Sequence, residues 1–277
     1  MQQQLKTNNL SFLFGLTRSA ATINLLLLSL LLAFALQNGY AQPREHITNT
    51  NGWYMLFGNH RLTNKWGLHT EYQWRRNDIV TNWQQSLLRI GVDYRFNDNV
   101  MLTAGYGNII TYPYGELPTL TTFNENRIWE NLLITQKLNR FYLQHRYRLE
   151  QRFADHYVKN AEGMPEKDKV IYTNRMRYLF SVTYPLNKPV MEKNTLFLRL
   201  YEEAFVNFGE NVGKNIFDQN RAYIALGYQI NKQANIQAGY LHHLVFKPDG
   251  IHVEKNNTLQ LGLTYNLDLR KQHHSAP

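Results

Sequence analysis

From Trp53 onward the chain reads as a series of alternations. Leu259, Leu261, Leu263, Tyr265, Leu267 and Leu269 alternate with Gln260, Gly262, Thr264, Asn266 and Asp268. The same period of two runs through Leu68-Thr70-Tyr72-Trp74, Leu88-Ile90-Val92-Tyr94-Phe96 and Ile224-Leu226-Tyr228-Ile230. A strand sends successive side chains to opposite faces, so each stretch has one apolar and one polar face. Eleven segments carry the pattern, near 52–61, 65–76, 84–96, 99–110, 125–138, 140–153, 170–184, 194–207, 218–230, 234–246 and 257–269. Most are longer than the ~5–6 residues usual in globular strands. They suit the ~9–11 residues that a tilted strand needs to cross hydrocarbon.

The connections alternate in length. Leu62-Thr63-Asn64, Asn97-Asp98, Asn139 and Asn231-Lys232-Gln233 are short, whereas the links near 77–83, 111–124, 154–169, 208–217 and 247–256 are longer and polar. Residues 185–193 form a longer link on the short side. This layout predicts an all-β, antiparallel up-and-down transmembrane β-barrel with short periplasmic turns and long extracellular loops. An internal repeat supports a meander of like hairpins: Tyr94–Tyr106 aligns without gaps on Tyr228–Tyr240, and Arg61–Tyr72 fits the same frame from Arg95 onward. Tyr94, Tyr184, Tyr228 and Tyr265 each fall near a short-side strand end, where a barrel carries an aromatic girdle. Eleven is odd, and bacterial single-chain barrels are even. The expectation is therefore 12 strands, with Arg44–Thr50 hiding a first strand, and 10 is the alternative.

Charge sharpens the picture. With the more apolar side of each strand assigned to lipid, the opposite side carries Glu71, Arg75, Arg89, Asp93, Arg95 and Arg127. It continues with Arg146, Arg148, Glu150 and Arg152 in the stretch RYRLEQR, then Arg175, Arg177, Arg199, Glu203 and Arg221. In a barrel these residues point into a narrow lumen. Arginine suits that place, being always charged and able to fork onto carboxylates. Two roles follow: a ladder of salt bridges that closes the pore, or an anion-attracting lumen with a place for phosphate or carboxylate groups. Glu130 and Glu202 fall on the apolar side, which predicts a bulge in those registers.

Composition sets the compartment. The 277 residues include no Cys, which excludes disulfides, thiolate metal sites and a lipoprotein attachment residue. Leu25–Leu36 is an apolar run too short to span ~30 Å of hydrocarbon as a helix, preceded by Lys6 and Arg18 and followed by Gly39-Tyr40-Ala41. It predicts a secretory signal over 1–41, the alternative being an uncleaved anchor. An N-terminal extension at 42–51, the barrel at 52–269 and a tail at 270–277 follow. Formal net charge is +9, of which +7 lies beyond the signal, spread along strands rather than on a basic helix. That distribution argues against nucleic-acid binding. Mean hydropathy of −0.48 excludes a bundle of membrane helices and leaves a barrel open.

Candidate chemistry is sparse. Beyond the signal only Ser86, Ser181 and Ser275 could act as Ser nucleophiles, and none sits where a His could serve it near the loops. Asp155, His156 and Glu162, or Asp249, His252 and Glu254, could supply a carboxylate/His centre. His242-His243 places its rings on opposite faces, and His273-His274 lies in the tail. No catalytic set, metal site or cofactor motif is assigned, and a non-enzymatic role is expected, with an envelope enzyme acting on lipid or peptide as the alternative. Gln260-x-Gly262-x-x-Tyr265-x-Leu267 matches the pattern polar-x-Gly-x-x-aromatic-x-hydrophobic that the barrel-assembly machinery reads on last strands.

From Trp53 to the last strand the chain resembles the outer-membrane family called domain of unknown function 2490. The resemblance rests on Asn124–Glu130 (NENRIWE), His145–Phe153 (HRYRLEQRF), Tyr201–Asn207 (YEEAFVN), Asp218–Gly227 (DQNRAYIALG) and Ala238-Gly239-Tyr240. It implies the barrel and the outer membrane of a Gram-negative bacterium, and no activity. The expected partners are outer-membrane lipid, the assembly machinery and a small anionic solute.

Overall fold

The computed structural model describes residues 44–270. The expected signal over 1–41, residues 271–277 of the tail, and with them His273, His274 and Ser275, lie outside the described residues. Eleven strands follow one another: β1 (Glu45–Arg61), β2 (Trp66–Asn77), β3 (Asn82–Arg95), β4 (Val100–Thr111), β5 (Phe123–Leu138), β6 (Phe141–Lys159), β7 (Pro165–Pro185), β8 (Thr195–Phe208), β9 (Phe217–Gln229), β10 (Ala234–Phe246) and β11 (His252–Tyr265). Each pairs with the next, and β1 pairs with β11 in parallel to close the barrel. Closure leaves no edge strand to recruit another chain.

The count is 11, not the 12 expected nor the alternative 10. A meander with an odd number of strands begins and ends in the same direction, so its seam must be parallel. Arg44–Thr50 holds no separate strand; Glu45 onward is the first half of β1, in register with β11 from His252. That stretch, EHITNT, has Ile47 as its single apolar residue and so shows no alternation. Most of the supposed extension at 42–51 is therefore barrel wall. The loop expected at 154–169 is also mostly strand, because β6 and β7 continue as a two-stranded ribbon joined by residues 160–164.

The short turns repeat one device. Asn97 Oδ1 accepts the backbone N–H groups of Asn99 and Val100, both at 2.9 Å. Asn231 Oδ1 accepts those of Gln233 and Ala234 at 2.8 and 2.9 Å. Thr63 Oγ1 accepts those of Lys65 and Trp66 at 3.2 and 2.9 Å. The three residues are equivalent in the internal repeat, so what repeats is a side chain that mimics a backbone turn. Asn139, at φ 53°, takes the left-handed conformation that the two-residue β5–β6 turn demands.

Polarity is inverted relative to a water-soluble protein. On β3, Leu88, Ile90 and Val92 are exposed while Arg89 and Asp93 are buried. An 8-stranded barrel is just filled by ordinary side chains, and 11 strands make the bore wider by roughly a third. Long and bulky side chains fill it here. Trp129 lies over Gly91 and Gly105, where a Cβ would come within 3.0 and 2.8 Å of the indole. Phe197 packs onto Gly227 in the same way.

Aromatic contacts gather at both ends of the outer face. At the short-turn end Tyr94 meets Trp66 and Phe96, and Tyr184 meets Phe141. At the long-loop end Trp83 meets Trp74 and Tyr112, Phe153 meets Tyr172, and Phe217 meets Phe246. Glu130 and Glu202 lie on the outer face in regular register. The bulges fall elsewhere, at Arg75/Arg76, His156/Tyr157 and Phe205/Val206. Each outer carboxylate accepts from a neighbouring amide, Gln151 at 3.2 Å and Asn220 at 2.5 Å, so no bulge is needed to hide it.

Candidate functional site

Strand parity brings the charged residues together in the bore. Glu150 of β6 is fully buried at its centre. It accepts from Arg89 at 3.1 Å, Arg175 at 2.6 Å and Arg177 at 2.7 Å, with Arg127 at 3.7 Å. Glu203 of β8 takes Arg146 at 2.6 Å, Arg177 at 2.7 Å and Arg221 at 3.6 Å. Glu71 of β2 takes Arg89 at 2.7 Å. A continuous chain of ion pairs thus runs Glu71–Arg89–Glu150–Arg177–Glu203–Arg221 across the lumen from β2 to β9. Only arginine, with five donors in a planar fork, can serve two carboxylates at once in this way.

Rings fill the space between the guanidiniums. Arg75 stacks 3.8 Å from Trp53, and Arg221 lies 5.0 Å from Trp53 and 4.6 Å from Phe205. Arg177 lies 4.4 Å from Phe205. Trp53, Trp129, Phe205 and Leu241 are almost inaccessible within this layer.

Toward the short turns the lumen opens. A cavity of about 250 Å³ is lined by Arg89, Arg146, Arg148, Arg177, Arg199 and Arg221 together with Glu71 and Glu203. Its apolar wall includes Met55, Phe57 and Leu179. It shares Asn59, Met101 and Leu133 with a cavity of about 490 Å³ at the short-turn mouth. That mouth also carries Arg61, Arg95, Lys232, Asp98 and Asp268.

All 15 residues expected inward are buried or half-buried on the inner side, but they do not act alike. Asp93 and Arg95 sit low, where Asp93 accepts from Thr103 at 2.7 Å and lies 3.9 Å from Arg95. Arg152 and Arg127 share Glu125, each at 2.6 Å. Arg175 also reaches Asp218 at 2.9 Å. Three of these inward arginines have no carboxylate partner among the described residues. Arg75 bonds Gln73 and Gln85, Arg148 has one long bond to Asn131 at 3.4 Å, and Arg199 has no hydrogen bond. Sequence reasoning missed Glu125, which shares the inward parity of β5, and Asp218, which lies off the inward parity of β9 opposite the Phe205/Val206 bulge.

The catalytic candidates are not assembled. Ser181 is buried in the wall, and Ser86 faces outward beside Tyr72. His156 pairs with Asp168, while Asp155 pairs with Lys167. His252 pairs with Asp249 on the exposed surface, and Glu254 is buried against Lys247 instead. Among the described residues no three His, Asp or Glu side chains converge as metal ligands. Gln260 points inward and accepts from Tyr201 at 3.3 Å, Gly262 packs on Gln237, Tyr265 is exposed at the strand end, and Leu267 lies at the mouth.

A family model described as protein of unknown function (DUF2490) matches residues 50–254. No curated protein matches the chain. Among solved structures, a NanC porin in a rhombohedral crystal form is similar, with 13% sequence identity, a TM-score of 0.45, and coverage of 78% of this chain and 98% of that one.

Proposed function

The chain belongs to the family of proteins of unknown function DUF2490, and from that premise we propose a Gram-negative outer-membrane barrel that is a narrow, mostly closed, anion-preferring conduit. Inverted polarity supports the membrane, since exposed Leu, Ile and Val would be costly in water. Girdle spacing supports it too. Trp83 and Tyr94 lie 11 residues apart on β3, about 28 Å of height at ~3.3 Å per residue and a tilt of ~40°. An outer-membrane barrel carries an apolar band ~25 Å tall. Short turns then face the periplasm. Gln260, Gly262, Tyr265 and Leu267 would serve assembly-machinery recognition on β11.

The observation that carries the anion preference is charge imbalance. Among the described residues eleven guanidiniums, from Arg75 to Arg221, share the lumen with six carboxylates: Glu71, Asp93, Glu125, Glu150, Glu203 and Asp218. A low-dielectric bore focuses that excess and repels cations. The salt-bridge layer makes the resting conductance low. Planar-bilayer recording across a KCl gradient tests the reading: small currents with a chloride-favouring reversal potential are expected. Strong cation preference would reject the anion conduit, and recovery of the protein in the soluble periplasm would reject the membrane location.

A further inference from the structure

The cavity below the salt-bridge layer has the attributes of a binding site rather than a passage. We propose that it is a specific site for a small oxyanion, a carboxylate or phosphate group carried by a compact solute, entering from the short-turn mouth. The proposal rests on the anion-preferring reading above and adds a site to it.

Stoichiometry comes first. Six guanidiniums line the cavity against two carboxylates. Both carboxylates are already occupied, Glu71 by Arg89, and Glu203 by Arg146, Arg177 and Arg221. Arg148 is the key group. It is 97% buried, since only 3% of its surface is exposed, and its single hydrogen bond is from Nε to Asn131 at 3.4 Å. Its Nη1 and Nη2 have no protein acceptor, although they are the two donors that grip a planar oxyanion in a fork. Arg199, also on this wall, has no hydrogen bond at all among the described residues. Arg199 Nε is buried without a partner, and the Arg148 Nη groups open onto the cavity, so an anion there would supply acceptors that the protein does not.

Shape and wall limit the solute. About 250 Å³ is below the ~300–1,000 Å³ of drug-sized pockets, so only a small molecule fits. Phe57, Met55 and Leu179 offer it an apolar side. The salt-bridge layer lies above, so entry and exit share the mouth, where Arg61, Arg95 and Lys232 exceed Asp98 and Asp268. Positive excess at a mouth speeds the arrival of anions.

The test uses the full chain folded in detergent, titrated calorimetrically with inorganic phosphate and separately with gluconate, ionic strength being held with chloride. Saturable 1:1 binding of at least one is expected. Phosphate alone would mark phosphorylated solutes, gluconate alone would mark carboxylates, and both results support the site. Arg148→Gln and Arg199→Gln should each weaken binding about tenfold or more, the loss expected for one charge-assisted hydrogen bond. The exposed Lys169→Gln should leave binding unchanged. Heat-dependent gel mobility checks that each variant folds, and Arg199→Gln breaks no protein hydrogen bond. Absence of saturable binding by both anions, or binding undiminished in both arginine variants, overturns the proposal. Neither result depends on bilayer selectivity, so the conduit reading stands or falls separately.

Discussion

Two consecutive inward positions on β6 separate two kinds of interior. Glu150 is surrounded by four guanidiniums within 3.7 Å. Arg148, one inward step toward the short turns, meets an amide at 3.4 Å and the face of Trp129 at 4.8 Å. Both belong to the same run of alternating charge, and both are buried. What differs is whether the opposite charge is present within reach. Where carboxylates from β2, β6 and β8 interleave with arginine, the lumen becomes solid. Where they run out, donors remain and space opens. Local stoichiometry, not composition, divides wall from chamber.

The largest way to break this contrast is Glu150→Ala. It leaves four guanidiniums facing one another around a void. Removing one partner of a buried pair costs about 3–5 kcal/mol, and a hub of four should reach the upper part of that range. Urea unfolding of the detergent-folded barrel would measure the loss, and single-channel conductance should rise as the layer loosens. A loss under about 1 kcal/mol, with unchanged conductance, would mean that the layer is not held by its hub.

Much of this was legible in the chain. Parity alone put all 15 charged residues inside, because one polar face per strand leaves no other arrangement once the apolar faces share a surface. The strand count was not legible. Glu45–Asn51 has only Ile47 as an apolar residue, and its inner side chains Asn49 and Asn51 bond Asn256 across the parallel seam at 3.2 and 2.9 Å. An amide-lined seam has no hydrophobic period to detect. Glu125 was overlooked because it sits near a strand's start, where alternation has barely begun, and Asp218 because a bulge takes it off the parity of Arg221. The cavity was not legible either, since it depends on which arginines share acids across strands far apart in sequence.

A second perturbation acts on packing instead of charge. Gly227→Leu would drive a side chain into the ring of Phe197, whose atoms are the three nearest to the position of a Cβ there. Overpacking of this kind costs about 1–3 kcal/mol. The double variant with Phe197→Ala should recover part of the loss, as the two side chains compete for one space. Strict additivity in urea unfolding would show that they do not.

Arg148→Met sharpens the contrast from the chamber side. Its charge satisfies no carboxylate, so the barrel should lose little, about 1 kcal/mol or less from the contact with Trp129. Selectivity should shift toward cations, because one uncompensated positive charge leaves the bore. A destabilisation as large as that of Glu150→Ala would place Arg148 in the structural layer after all.

The smallest effect is expected from an ion pair of similar geometry in water. Asp249, in the loop between β10 and β11, accepts from His252 Nδ1 at 2.6 Å and from the backbone N–H groups of Ile251 and His252 at 2.8 and 3.0 Å. The imidazole hydrogen bond, then the backbone ones, lower its pKa to about 2. A carboxyl whose folded pKa lies below its unfolded value stabilises the fold fully above the ordinary carboxylate range and loses that contribution as pH falls through about 2. The group is exposed, so solvent screens the pair, and Asp249→Asn should change barrel stability by less than about 0.5 kcal/mol. A carboxyl NMR titration would read the pKa, and urea unfolding the stability. A midpoint shift rivalling that of Glu150→Ala would mean that burial is not what separates the two pairs. A pKa near 4 would mean that the loop does not hold its hydrogen bonds in solution.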